Sequence, residues 1–368
     1  MKTQLIIFAL ILWVSVDAVS QEVIPIDTNN WDIQATNYVI ENYKGKPSIY
    51  LQGGGMTLKG EKFLNGVIEY EIFLKEDRGF PGIYFRGQDN GNAEQFYVRP
   101  HQSGNPDANQ ATALTKNITL WQLHHGDKYS FPYHYKFNEW TQIKILVNGD
   151  KAQVFMDGNE NPNLSWHLFH EIQEGTITLN GGNQTGMHIA NVRISNEAPE
   201  LKNFKPIANK PIEGLVERWE VSDMFAESLL EDPKKINDLI SKRKWQGTIK
   251  VEEGTAANIS RIQNRFDGSG GNTVFVKITI ESNKNQVKSF EFGYSDRVVA
   301  ILNGTPVYSG TNRFRTRDYR YLGTIGLFDN IYLNLKKGKN ELLMAVSEDF
   351  GGWLITGRFK DNKGIKVN

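Results

Sequence analysis

Residues 82–110 read GIYFRGQDNGNAEQFYVRPHQSGNPDANQ, and the pattern of this stretch predicts the fold. Two short runs alternate apolar and polar residues on either side of a polar turn at 87–93. Alternation with a period of two is typical of a β-strand that buries one face. The stretch therefore predicts a β-hairpin with a core face, which carries Ile83, Phe85 and Phe96, and a second, polar face.

The polar face of this hairpin is the predicted ligand site. Aromatic rings can stack on the C–H faces of a sugar, and Arg, His and Gln side chains can bind its hydroxyl groups. Small and amide residues follow at 103–110, and loops of this kind above a sheet often carry function. An ordinary solvated face is the competing interpretation. The predicted ligand-binding residues are Tyr84, Arg86, Tyr97, Arg99, His101, Asp107, Gln110, Trp121 and His124.

The composition excludes several classes of protein. The chain has 42 Lys and Arg residues against 42 Asp and Glu residues, and this neutrality argues against nucleic acid as a partner. Cysteine is absent, which excludes disulfides, thiolate catalysis and cysteine-based zinc sites. The histidine spacings match no zinc pattern. We therefore predict no metal and no cofactor, while the sequence leaves a structural calcium ion open.

Residues 1–20 have the pattern of a secretory signal peptide. Lys2 precedes an apolar run at 5–16, and small residues follow it. The run is too short to span a bilayer. We therefore expect cleavage before Gln21 and a secreted or periplasmic protein without a membrane span. The lack of cysteine fits a bacterial envelope.

Short alternating runs continue along the chain and predict an all-β protein with two β-sandwich (jelly-roll) domains. Turn dipeptides such as Asn148-Gly149 separate the runs. A proline-rich stretch without periodicity predicts a linker, and a helical stripe predicts one short helical segment near 223–242. The predicted organisation is a signal peptide at 1–20, a first sandwich at 21–195, a linker at 196–212 and a second sandwich at 213–368.

Both halves resemble known families. The first half resembles the concanavalin A-like lectin/glucanase superfamily, in particular its secreted bacterial 3-keto-disaccharide hydrolase-like branch, in GVIEYEIFL (66–74), PGIYFRGQ (81–88) and EWTQIKILVNGDKAQVFMDG (139–158). The second half is similar to galactose-binding-like jelly rolls in FGYSDRVVAILNGTPVYSG (292–310) and FGGWLITGRF (350–359). The resemblance implies a β-sandwich for each half and a carbohydrate or glycoside as partner. The superfamily holds enzymes as well as pure binders.

Candidate catalytic groups are few. Retaining glucanases use two carboxylates about 5 Å apart, and Glu69 and Glu71 have a suitable spacing. The residues between and after them depart from the laminarinase-type pattern, so an outward-facing pair on a solvated strand explains them better. If the protein is an enzyme, the candidates for its acid or base are Glu94, Asp107 and His101.

Three hypotheses follow for the function. The first is a secreted carbohydrate-active protein that binds a glycan on the polar face of the first sandwich. The second is a glycoside hydrolase that acts on a 3-keto-glycoside or a related substrate, and the third is a non-catalytic accessory that docks to another protein. On the first hypothesis, a fragment that ends near Ile194 should retain binding. Arg99→Lys should then weaken binding and change stability little. The sequence identifies neither the sugar nor the oligomeric state.

Overall fold

A computed structural model describes residues 22–182, 185–313 and 318–368. The regular secondary structure of this part is almost entirely β, in two large antiparallel sheets, which confirms the predicted fold class. The predicted signal peptide at 1–20 lies outside the described residues. No helix in the described part is both long enough and apolar enough to cross a membrane.

The first sheet has 12 strands and contains the predicted hairpin. Its apolar side chains enclose a core that includes Phe85, Phe96 and Trp166. The strands are β1 (Trp31–Tyr43), β2 (Lys46–Leu58), β3 (Gly66–Phe73), β4 (Gly82–Gly87), β5 (Ala93–Val98), β6 (Asn109–Thr115), β7 (Ile118–Thr119), β8 (Trp140–Asn148), β9 (Lys151–Met156), β10 (Leu164–His167), β11 (Thr176–Asn180) and β12 (Met187–Ser195). Their order is β10-β9-β8-β3-β12-β2-β11-β4-β5-β6-β7, and β1 pairs with β2.

Strands β1, β2, β6, β7 and β10 of this sheet were absent from the sequence prediction. Strands β1 and β2 form a long hairpin whose outer strand is exposed over most of its length, so β1 has no continuous apolar face to detect. Glycines at 53–55 hide the alternation of β2. Strand β6 begins at Asn109, so Gln110 belongs to a strand and not to the predicted loop.

The second sheet has 11 strands around a separate large core that includes Trp219, Phe290 and Trp353. The strands are β13 (Arg218–Ser222), β14 (Trp245–Glu252), β15 (Ala256–Asn258), β16 (Thr273–Ser282), β17 (Gln286–Ser295), β18 (Arg297–Leu302), β19 (Thr305–Thr311), β20 (Asp329–Leu335), β21 (Gly338–Ser347), β22 (Leu354–Arg358) and β23 (Ile365–Val367). Their order is β19-β18-β21-β16-β13-β14-β15-β22-β17-β20, and β23 pairs with β16.

The predicted helical segment is present and short. It consists of two 3-10 turns, Glu227–Leu230 and Pro233–Lys235, followed by helix α1 (Ile236–Ser241). Asp232 caps the second turn by accepting a hydrogen bond from the backbone N–H of Lys234, and proline at the first position suits a helix start.

The two halves contact each other through side chains and through a backbone hydrogen bond from the N–H of Ile325 to the carbonyl of Gln122 (2.9 Å). No described strand of the first sheet pairs with a described strand of the second, and the predicted boundaries at 195 and 213 stay predictions. A small apolar cluster, which we name the shared core, contains residues from both halves. Its buried members are Ala113, Leu120, Leu123, Ala256, Ile325 and Leu354.

Candidate functional site

The predicted hairpin is confirmed as the pair β4 and β5. The strands are antiparallel, with Ile83 opposite Phe96 and Tyr84 opposite Gln95. Ile83, Phe85 and Phe96 are fully buried in the first core, as the alternation predicted. The hairpin therefore gives a firm reference for which side chains share a face.

Arg86 does not join the polar face. Its φ of 53° lies in the left-handed region, which non-glycine residues seldom adopt, and this interrupts the alternation. The side chain is 4% exposed, and burial lowers its pKa. Its Nε donates to the carbonyl of Leu64 (2.8 Å), and its Nη2 donates to the carbonyl of Gly149 (2.7 Å). The expectation that Arg86 lies on the polar face of the hairpin is therefore wrong.

Four of the predicted ligand-binding residues form a buried cluster, the Arg99 network. Arg99 donates through Nη1 to Asp107 Oδ1 (2.7 Å) and through Nη2 to the hydroxyl of Tyr97 (2.6 Å). The Tyr97 hydroxyl donates to Gln110 Oε1 (2.6 Å), which also accepts from Arg99. Arg99 is 1% exposed and the other three are also buried. The expectation that these side chains form an open face is therefore wrong.

Two covering segments explain why the Arg99 network is closed. The segment that follows β7 lies over it, because Gln110 Nε2 donates to the carbonyl of Trp121 (2.8 Å). The second half reaches the same cluster, because the backbone N–H of Leu322 donates to Asp107 Oδ2 (2.8 Å). Burial raises the pKa of Asp107 even though Arg99 lies beside it. The network thus connects the hairpin to the second half.

His124 and Trp121 lie at the contact between the halves. His124 is fully buried, its Nδ1 is 2.9 Å from Thr112 Oγ1, and its ring stacks on Phe169 at 3.8 Å between centroids. Burial lowers the pKa of His124. The half-buried Trp121 packs so tightly on Gly323 that a Cβ there would lie 2.1 Å from the indole. His124 is therefore buried in the contact between the halves, and ligand roles for His124 and Trp121 stay predictions.

Tyr84 and His101 are half-buried. They belong neither to the Arg99 network nor to the contact between the halves that contains His124 and Trp121. The Tyr84 hydroxyl accepts from Asn180 Nδ2 at 3.4 Å. His101 lies in a 3-10 turn, Pro100–Gln102, beyond the end of β5, with its ring 5.3 Å from that of Phe80. Burial, followed by the charges of neighbouring arginines, lowers the pKa of His101 to about 4. Their predicted roles remain untested expectations.

Glu94 points to the other side of β5. It has the same parity as Phe96 and therefore faces the core side, away from Tyr97. Its carboxylate is 2% exposed. Oε1 accepts from the backbone N–H groups of Phe169 (3.1 Å) and His170 (2.9 Å) and lies 3.2 Å from His170 Nδ1. Glu94 thus anchors the loop between β10 and β11.

A polar cavity of about 250 Å³ lies at this position, and we name it the Glu94 cavity. One wall is the turn between β4 and β5, another is the loop between β10 and β11, and a third comes from the second half. Arg86, near the end of β4, also lines the cavity. The polar side chains that line the cavity include Gln88, Asn92, Glu94, His170, Gln173 and Arg261. Asn90 and Glu171 also line the cavity.

Arg261 makes the cavity a joint product of the two halves. It pairs with Glu252 through two hydrogen bonds of 2.7 Å, and its Nη2 donates to the carbonyl of Phe169 (3.0 Å). Arg261 ends a 3-10 turn, Ile259–Arg261. Lys116 of the first half contacts the end of this turn, because its Nζ donates to the carbonyl of Ile262 (2.8 Å). The position of this wall therefore depends on contacts across the boundary.

The order Glu94, His170, Thr115 resembles a carboxylate–imidazole–hydroxyl relay. His170 Nε2 lies 3.3 Å from Thr115 Oγ1, and nucleophilic triads use the same order of groups. Thr115 is only 1% exposed and does not line the cavity, so its hydroxyl has no access to a ligand there. The arrangement fits a positioned His170 better than a nucleophile. The part of the chain that the structure describes contains no cluster of three His or acidic residues that could hold a metal ion.

The surface carboxylates Glu69 and Glu71 form ion pairs outside the cavity. Glu69 pairs with Lys144 at 2.7 Å, and Glu71 pairs with Lys46 at 2.5 Å. Both glutamates are partly exposed. This agrees with the interpretation of an outward-facing pair on a strand.

Sequence reasoning identified Glu94 and Arg86 but not their companions in the cavity. His170, Gln173 and Arg261 lie far along the chain, and no local pattern links them to the hairpin. The parity of Glu94 with Phe96 was readable from the sequence and would have separated it from the Arg99 network. Only the folded chain brings the other walls to it.

No known family and no curated protein matches the chain. Solved structures align with less than half of it at low similarity. They include the carbohydrate binding module CBM66 from Bacillus subtilis (14% identity, 45% of this chain and 95% of that chain, TM-score 0.33). Others are the galectin LEC-6 of Caenorhabditis elegans (13%, 45% and 99%, TM-score 0.29) and SCLam, a non-specific endo-beta-1,3(4)-glucanase from family GH16 (11%, 47% and 86%, TM-score 0.30). The fold described above rests on the strand pairing of this chain.

Proposed function

We propose that the protein binds carbohydrate and that the Glu94 cavity is its binding site. One observation carries the proposal: amide, carboxylate, imidazole and guanidinium groups from both halves converge on one small cavity. These groups together donate to and accept from hydroxyl groups. Ligand sites occur preferentially where domains meet. The proposal moves the expected site from the polar face of the hairpin to the opposite side of β5.

The floor of the cavity is rigid before any ligand arrives. Backbone N–H groups of Phe169 and His170 fix the carboxylate of Glu94, as described above. Oε2 accepts only one of these bonds, at 3.2 Å from the N–H of Phe169, so it can still accept from a hydroxyl group. A fixed acceptor loses little conformational entropy on binding. Glu94 is therefore the residue on which we expect the ligand to depend most.

Secretion is a further part of the proposal, and hydrolysis is its alternative. The apolar run at 5–16 supports export, and a glycan ligand suits an exported protein. Glycoside hydrolysis is the alternative function, because Glu94 and Glu171 both line the cavity and hydrolysis requires a pair of carboxyl groups. Binding is the function that the cavity supports best, since Glu94 already serves to anchor the loop.

Calorimetric titration of the whole chain with a panel of monosaccharides and glycans tests the proposal. We expect at least one sugar to bind, and Glu94→Gln and Gln173→Ala each to weaken that binding by about tenfold or more. Glu69→Gln is the matched control, because it changes a glutamate on the exposed ion pair outside the cavity. Binding of no sugar, or equal losses in the control, would overturn the proposal. Chromatography of the same mixtures shows whether any glycoside is cleaved.

A further inference from the structure

We propose that the Glu94 cavity takes one terminal sugar unit of a glycan and not an internal stretch of chain. This inference rests on the proposed function and makes it narrower. It follows from the size of the cavity, from the contacts that join its walls, and from the kinds of side chain that line it.

The size limits the ligand first. The cavity measures about 250 Å³, and clefts that accept drug-sized molecules usually measure ~300–1,000 Å³. A single pyranose or furanose ring fits this space, whereas several linked rings would extend outside it. The interactions available inside therefore belong to one sugar unit.

Two hydrogen bonds join the walls of the cavity at the two ends of the loop between β10 and β11. Gln88 on the β4–β5 turn donates through Nε2 to the carbonyl of Glu174 (2.8 Å), on the loop before β11. Arg261 of the second half donates to the carbonyl of Phe169 on the same loop (3.0 Å). An internal segment of a glycan enters on one side of a site and leaves on the other. The loop is thus tied to both other walls, and this narrows the space for a chain that would pass through.

The polar face of the hairpin offers no further binding surface for a glycan. On the other face of β5, Tyr97 and Gln110 are buried under the segment that contains Trp121. Added sugar units therefore find no binding surface on that face of β5. Among the described residues that line the cavity, none has a Phe, Tyr or Trp ring. Recognition then depends on hydroxyl groups, and a chain end exposes more of these than an internal unit does.

Titration with a monosaccharide and its homologous oligosaccharides tests this inference. The probes are glucose, galactose, mannose and fructose, each with the linear oligosaccharides that it forms. For a sugar that binds, we expect the monosaccharide and the oligosaccharides to have affinities within about threefold of one another, because added units make no contacts. A rise of about tenfold or more with chain length would overturn the inference and leave the proposed function intact. If no probe binds, the proposed function fails first.

Gln88→Ala provides the second measurement, since it removes the join to Glu174. The quantity to compare is the ratio of oligosaccharide affinity to monosaccharide affinity, which does not depend on the absolute affinity of the variant. We expect this ratio to rise above the wild-type value, because longer chains gain a route out of the cavity. A ratio equal to that of the wild type would contradict the assigned role of the join.

Discussion

The Arg99 network and the Glu94 cavity lie on opposite faces of β5. They differ in what packs over them. Arg99 and its three partners are covered by the Trp121 segment and by Leu322. Glu94, the second residue of β5, lines the cavity on the other face. The type of side chain does not decide which of the two clusters meets a ligand. What packs over each face decides it, and here the second half covers one face and completes the other.

The energetics of the two clusters differ for the same reason. A buried ion pair such as Arg99–Asp107 loses hydration that its mutual attraction only partly returns. Removing one partner leaves the other charged and buried, and this is the costly change. A rim residue of the cavity keeps contact with solvent, so its loss affects the ligand more than the fold. The following predictions test this division.

Arg99→Met should have the largest effect on stability. It leaves Asp107 buried without its cation, and breaking a buried pair in this way costs about 3–5 kcal/mol. Urea unfolding measures the loss, and calorimetry on the folded variant measures sugar binding, which we expect to be unchanged. This reverses the expectation from the sequence for Arg99→Lys. Full stability combined with lost binding would return the ligand site to the polar face of the hairpin.

Arg261→Ala should affect binding rather than folding. We expect sugar affinity to fall about tenfold, or ~1.4 kcal/mol, because one wall of the cavity is lost. Arg358→Ala is the matched control, because Arg358 also pairs with a single glutamate, Glu291, by two contacts of 2.7 Å. Partly exposed pairs of this kind contribute about 0–1 kcal/mol to stability, so both variants should unfold at similar urea concentrations. Equal affinity in the two variants would remove Arg261 from the site.

His101 should give the smallest effect, and it depends on pH. Its pKa in the folded chain is about 4, below the ordinary value of 6.5, because of burial and then the charges of Arg78 and Arg99. Between these two values the unfolded chain binds a proton that the folded chain excludes, so stability falls as the pH is lowered from 6.5 towards 4. We expect His101→Phe to lose less stability than the wild type over this range. Urea titrations at pH 6.5 and pH 4 measure the free energy of unfolding of both proteins. An equal loss in the wild type and in His101→Phe would contradict the prediction.

The fold was largely predictable from the sequence, and the site was not. Ile83, Phe85 and Phe96 identified the hairpin, because a buried face produces a period of two. The left-handed backbone of Arg86 has no sequence signal, so its departure from the polar face could not be foreseen. Glu94 and its partner His170 are 76 residues apart. Contacts of that range depend on tertiary packing, and alternation along one strand does not report them.

The shared core has a consequence for how this protein is inherited and reused. Leu120 and Leu123 of the first half and Leu354 of the second belong to one buried apolar cluster. Neither half is therefore an independent domain that could be exchanged without exposing apolar surface. A gene fragment that ends near Ile194 would display those leucines to solvent and would also lack Arg261. Recombination that transplants one half into another protein therefore has to supply a matching apolar patch at the junction. We expect the two halves to have changed in step, as one unit of selection.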